Sequence, residues 1–197
     1  MRFQSFRNLS FGLAVVSVIS MGVASAQSLV GVNAKLDRTL DSKGAAVGQV
    51  VTAKLDGTIT AEGTKLPKST ELIGKIADVK NANGAVSVSV VFTSAKLKDG
   101  KEIPVKATLL AAYPELDPVG ESLGDVGAGP APALVSADRT FDQEPGALSH
   151  VALTSAVKDS DSGTFSSTNG NFKLLAGTNL QLGIAPASPA SGTNAAE

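Results

Sequence analysis

The chain has 197 residues, no cysteine, one histidine and nearly balanced charge, with 17 basic side chains against 18 acidic ones. That length suits one domain with a real core and is cramped for two. The absence of cysteine excludes disulfides, an N-terminal lipid on cysteine and thiolate zinc sites, and a single histidine excludes multi-histidine metal centres. The lysines are spread beside acidic residues, not gathered on one face as a nucleic-acid binder requires.

Residues 1–26 carry the marks of a secretory signal peptide. Arg2 and Arg7 form a basic start, Phe11 to Val23 an apolar stretch, and Ala24-Ser25-Ala26 a small-x-small cleavage pattern. Cleavage after Ala26 is expected, leaving Gln27 first. The alternative, an uncleaved anchor, is disfavoured because the apolar run is shorter than the roughly 20 residues that span a bilayer. The remaining 171 residues carry a net charge of −3, since the leader removes two basic residues and no acidic one. No later segment is long and apolar enough for a transmembrane helix, so a bacterial periplasmic or secreted protein is expected.

The mature chain opens with Leu29, Val30, Val32, Ala34, Leu36 and Leu40, a strand-like start followed by a polar turn at Asp41-Ser42-Lys43-Gly44. Val51, Ala53, Leu55 and Ile59 then alternate with Thr52, Lys54, Asp56 and Thr58, which predicts a second strand. Pro67 cannot donate to a central ladder, so the segment around it is expected at an edge or corner. Asn81-Ala82-Asn83-Gly84 is a turn. The clearest pattern follows in Ala85 to Leu110. Val86, Val88, Val90 and Phe92 share one face of a first arm, and Ile103, Val105, Ala107 and Leu109 one face of a second. Between the arms, Asp99-Gly100 predicts a two-residue type I′ turn.

Residues 111–147 hold five of the nine prolines and many glycines without a sustained period, and read as a long loop. Such a loop on a rigid scaffold is a natural place for binding residues. Strand character returns at Ser149 to Lys158 and again at Thr164 to Ser167. Asn169-Gly170 reads as a hairpin turn, and Phe172, Leu174, Leu180, Leu182 and Ile184 as a last strand pair. Residues 186–197 form a Pro, Ala, Ser and Gly tail expected to be disordered. Gly63-Thr64-Lys65-Leu66 and Gly177-Thr178-Asn179-Leu180 echo each other, although turns between strands commonly look alike. The expected fold is all-β, a single domain over 27–185, as a small antiparallel barrel or sandwich of about 7–9 strands with a long Pro/Gly-rich loop.

Several short patterns touch on chemistry. Gly120-Glu121-Ser122-Leu123-Gly124 matches the G-x-S-x-G elbow of α/β hydrolases, with Asp142 and His150 following in the order acid, base, but prolines and glycines surround it where a strand and a helix are required. Ser155-Ala156-Val157-Lys158 matches S-x-x-K without its helix start or partner motifs. Asp159 and Asp161 offer oxygens to calcium, yet the twelfth position of an EF-hand loop falls on Gly170. Gly124 to Gly129 lacks the strand and helix that frame a phosphate cradle. No catalytic, cofactor or metal residue is therefore assigned.

The order of strands and turns resembles the C-terminal β-barrel domain of TrbI-type conjugal-transfer channel proteins of type IV secretion. The family's L-I-P-x-G-S-x-L-I-G is similar to Leu66-Pro67-Lys68-Ser69-Thr70-Glu71-Leu72-Ile73-Gly74, with Ser69 where the family has glycine. Its V-x-A-x-V resembles Val51-Thr52-Ala53-Lys54-Leu55, its Pro-Asp-Gly turn Asp99-Gly100, and its closing strand Phe172 to Leu182. The match covers about two-thirds of the mature chain. The family's membrane anchor and the helical hairpin it threads through the outer membrane have no counterpart. The resemblance implies a barrel standing alone, and as an alternative a subunit of an outer-membrane secretion-type ring. The leading expectation is an exported, non-enzymatic module of the bacterial cell envelope, structural or binding. It needs no cofactor, engages no nucleic acid, has an unknown envelope protein or ligand as partner, and is a possible homo-oligomer. A small serine hydrolase built on Ser122 and His150 is the outlying alternative.

Overall fold

The structure, a computed structural model, describes residues 26–61, 64–114, 133–136 and 139–186. These are all β, with fourteen strands and no helix among the described residues. Six long strands close into an antiparallel barrel: β1 (Ala26–Leu36), β3 (Val50–Leu55), β6 (Glu71–Ala82), β7 (Ala85–Lys96), β8 (Glu102–Tyr113) and β14 (Asn179–Pro186). The ring runs β7-β6-β3-β1-β14-β8 and returns to β7. Closure follows from the alternation that each strand carries. Val30, Val32, Ala34 and Leu36 of β1 face the interior opposite Ile184, Leu182 and Leu180 of β14, and all of them are buried. A barrel removes the exposed edges that an open antiparallel sheet would leave.

Each mouth of the barrel is covered by a two-stranded piece. At one end β2 (Leu40–Asp41) pairs with β13 (Lys173–Leu174), burying Leu40, Phe172 and Leu174. Ser42 ties this cap together, because its amide donates to the Phe172 carbonyl and its hydroxyl accepts the Phe172 amide. At the other end β4 (Ile59–Ala61) pairs with β5 (Thr64–Leu66), burying Ile59 and Leu66. The interior is a packed core in which Leu55, Leu72, Ile76, Leu109, Leu182 and Ile184 are almost fully shielded from solvent.

The two arms around Asp99-Gly100 are strands β7 and β8 with the expected faces inward, but they pair only at Ser94–Pro104, Ala95–Ile103 and Lys96–Glu102. Pro104 has no amide to continue the ladder, and the strands part there. The gap is filled by β12 (Gly163–Ser167), which pairs with β7 from Val86 to Val90 and carries β11 (Val151–Ala156) and β10 (Thr140–Leu148) behind it. The barrel is thus six strands around at one end and splits open at the other to admit a three-stranded wing.

Several expectations are corrected. The stretch 111–147 is not one long loop, because it contains the end of β8, β9 (Ala133–Ser136), which pairs with Ala26–Leu29 of β1, and most of β10. The turn at Asp99-Gly100 is not type I′, since only Gly100 has a positive φ, 85°. The Gly100 amide donates to Leu97 and the Leu97 amide to Lys101, the turn-plus-bulge arrangement of a longer hairpin loop. The type I′ pair is instead Asn83-Gly84, φ 51° and 82°, joining β6 to β7. Asn169-Gly170 does not close a hairpin, and β13 pairs with β2, not with β14. The strands exceed nine because the caps and β9 add short pieces with no sequence period of their own. The expected leader to Ser25 and the tail from 187 lie outside the described residues.

Ser69 has φ 69°, in the left-handed region that favours glycine, while its amide donates to Leu55 across the β3–β6 corner. A Cβ costs about 1 kcal/mol in that region. Ser69→Gly is expected to raise stability by about 0.5–1 kcal/mol, read as a higher denaturation midpoint with an unchanged slope.

Candidate functional site

The polar residues that approach the core are engaged in closing the barrel. Where β8 leaves β7, its backbone meets one backbone carbonyl and two side chains of the wing in place of a paired strand. The Leu109 amide donates to the Ser162 carbonyl at 2.8 Å and the Ser155 hydroxyl to the Leu109 carbonyl. The Gln143 carboxamide takes the Ala112 amide on Oε1 and gives Nε2–H to the Ala112 carbonyl, both at 2.7 Å. Ser162 also accepts the Phe92 amide on its hydroxyl, 2.9 Å, and donates its own amide to Val90. Each of these groups satisfies a strand edge that would otherwise be buried without partners. Thr108 Oγ1 is the exception, buried beside this seam without a partner among the described residues.

The residues singled out from the sequence are not brought together. Asp142 is exposed on β10 opposite Thr154, and His150 is four residues from Thr154 along β11, about 13 Å at the rise of a strand. His150 occupies the β10–β11 turn at φ 60°, with Nδ1 3.2 Å from the Asn169 carboxamide nitrogen. Ser122 and the glycines 124, 127 and 129 lie outside the described residues. Ser155 is buried on a strand with its hydroxyl on Leu109, while Lys158 is exposed beyond the end of β11. Asp161 approaches the Thr164 hydroxyl at 3.3 Å, and no group of three or more possible metal ligands occurs among the described residues.

The surface is uneven in another respect. Among the described residues, Val47, Val50, Tyr113 and Leu175 are the large apolar side chains that stay exposed, at 67%, 63%, 45% and 64%. All four sit at the same end of the barrel, where β3 and β14 begin and β1 and β8 finish. Val50 is the first residue of β3, Tyr113 the last of β8 opposite Asn179 at the start of β14, and Leu175 precedes Thr178, whose carbonyl accepts the Leu36 amide. From β3 to β8 the ring passes through β1 and β14, about 14 Å along the wall at ordinary strand spacing. Ion pairs stand among them. Asp41 meets Lys173 at 3.0 Å and Asp37 meets Lys54, and both carboxyls are held below their ordinary range by those lysines. Next to Tyr113, the Pro114 carbonyl accepts from Asn179 Nδ2 at 3.3 Å. No sequence period signals this face, because it collects single residues from loops and strand ends far apart in the chain.

No protein-family model, curated protein or solved structure matches this chain.

Proposed function

We propose that the chain is an exported β-barrel module of the bacterial cell envelope that binds a partner through the rim bearing Tyr113, Leu175, Val47 and Val50, without catalysis. The observation that carries this reading is the gathering, at one end of the barrel, of the large apolar side chains that are exposed among the described residues. Apolar groups held in water on a rigid scaffold, with ion pairs around them, have the composition of a recognition surface. Export is supported by the basic, apolar and small-residue run that ends at Ala26. Cleavage there leaves β1 intact except for its first pair, Ala26 with Ser136.

A photo-crosslinking side chain placed at Tyr113 or at Leu175 in the native host tests the reading, with Lys65 at the opposite cap as control. A discrete adduct from the rim positions and none from Lys65, in the periplasmic or outer-membrane fraction, is expected. Equal labelling from both ends, or protein retained in the cytoplasm with its first 26 residues, would sink it. The same fractions address the second reading, a subunit of a secretion-type ring, which the closed barrel and the resemblance to TrbI-type domains favour. That reading requires a large complex in the outer-membrane fraction.

A further inference from the structure

One strand edge of the barrel is open. β3 pairs with β6 from Lys54–Glu71 to Val50–Lys75, and Ile76 is then met by Gly48 and Gln49, whose amide and carbonyl it bonds at 2.8 Å. From Ala77 to Ala82, about 20 Å of strand, β6 has β7 on one side and no strand on the other among the described residues.

The register identifies which backbone groups face outward there. On β7, the Val90 carbonyl and the Phe92 amide turn away from β6, since both bond to Ser162. Val88 and Val86 share their parity and pair with β12 on that side. Their opposites on β6, Val79 and Asn81, therefore turn amide and carbonyl toward the open edge. Asp78 and Lys80 flank Val79 on the outer surface, 2.8 Å apart as an ion pair.

We infer that this edge pairs with the same edge of a second copy of the chain, antiparallel about Val79. In that register the two Val79 residues exchange both backbone hydrogen bonds, and Asp78 of each copy stands opposite Lys80 of the other, twice by symmetry. A shift of one residue about the two-fold axis sets Lys80 against Lys80, so the charges select the register. The pairing runs from Ala77 to Asn81 of each copy and stops there, because the edge at Ile76 and Lys75 is already taken by Gly48, Gln49 and Val50. The inference is independent of the export reading, because it concerns the purified protein.

Sedimentation velocity over a concentration series, on protein made from the complete coding sequence, provides the test. A reversible dimer is expected. Val79→Pro removes the outward amide, which in the single chain is turned to the Asp78 carboxylate, without taking a bond from the β6–β7 ladder, and should leave a folded monomer. Asp78→Lys and Lys80→Asp each set like charges together and should weaken the dimer about tenfold, whereas the double exchange restores opposite charges and should return it to within about threefold of the parent. A protein that stays monomeric throughout, a dimer that Val79→Pro leaves intact, or single exchanges that the double does not rescue would overturn the inference.

Discussion

Gly74→Ala is expected to destabilise the barrel by about 3 kcal/mol, measured by chemical denaturation. Gly74 sits on the inner face of β6 opposite Phe92, at a bulge where Thr93 is the extra residue of β7. A Cβ added there would stand 2.3 Å from the Val91 carbonyl oxygen, 2.8 Å from Phe92 Cδ1 and 3.0 Å from Phe92 Cα. Only the ring carbon belongs to a side chain that can rotate. The other two atoms are backbone, and moving them breaks the longest ladder in the fold. Phe92→Leu should therefore fail to rescue Gly74→Ala beyond its own effect. Gly57→Ala provides the control, because a Cβ there meets nothing within 4 Å and the backbone is not left-handed. Its effect should stay within about 0.5 kcal/mol. A Gly74→Ala protein as stable as the Gly57→Ala one would show that β6 and β7 are free to separate at the bulge.

The same region shows what was legible in the sequence. Val86, Val88, Val90 and Phe92 repeat every second residue, and that period alone places them inward on β7, where they are buried. Likewise Ile103 to Leu109 identify β8. The period carries no information about which neighbour a strand takes, and the two arms part at Pro104, where β7 takes a partner more than seventy residues downstream. β10 was illegible for a related reason. Its alternation is broken at Pro145 and Gly146, and it is a strand because β11 pairs with it and Gln143 bonds across to Ala112. Turn type was ambiguous because Asp-Gly suits both a type I′ turn and a bulged loop, and the flanking ladder chooses. The rim was invisible, since Val47, Val50, Tyr113 and Leu175 are ordinary apolar residues until the closure of the ring brings their loops to one end.

Ser162→Ala and Gln143→Leu should each lower stability by about 2 kcal/mol, and their combination should fall short of the sum. Ser162→Ala leaves the Phe92 amide without an acceptor in a place where Ser162 itself is almost wholly buried. Gln143→Leu keeps the volume but strands both the amide and the carbonyl of Ala112. Gln143→Glu should be worse at neutral pH, because it turns an acceptor toward the Ala112 carbonyl. The effects are coupled because one seam carries both. Ser162 holds the wing to β7 and Gln143 holds it to β8, so once the wing lifts from the β7–β8 split at either point the bonds at the other are lost too, and removing the second adds little. Hydrogen exchange distinguishes this from general loosening. In the variants the amides of Leu109 and Ala112 should exchange through a low-energy opening, while those of β1 against β3, across the ring from the β7–β8 seam, still exchange only with global unfolding. Uniform acceleration across both sets, or strict additivity of the two substitutions, would mean that the wing is an integral part of the barrel wall and does not open as a unit along this seam.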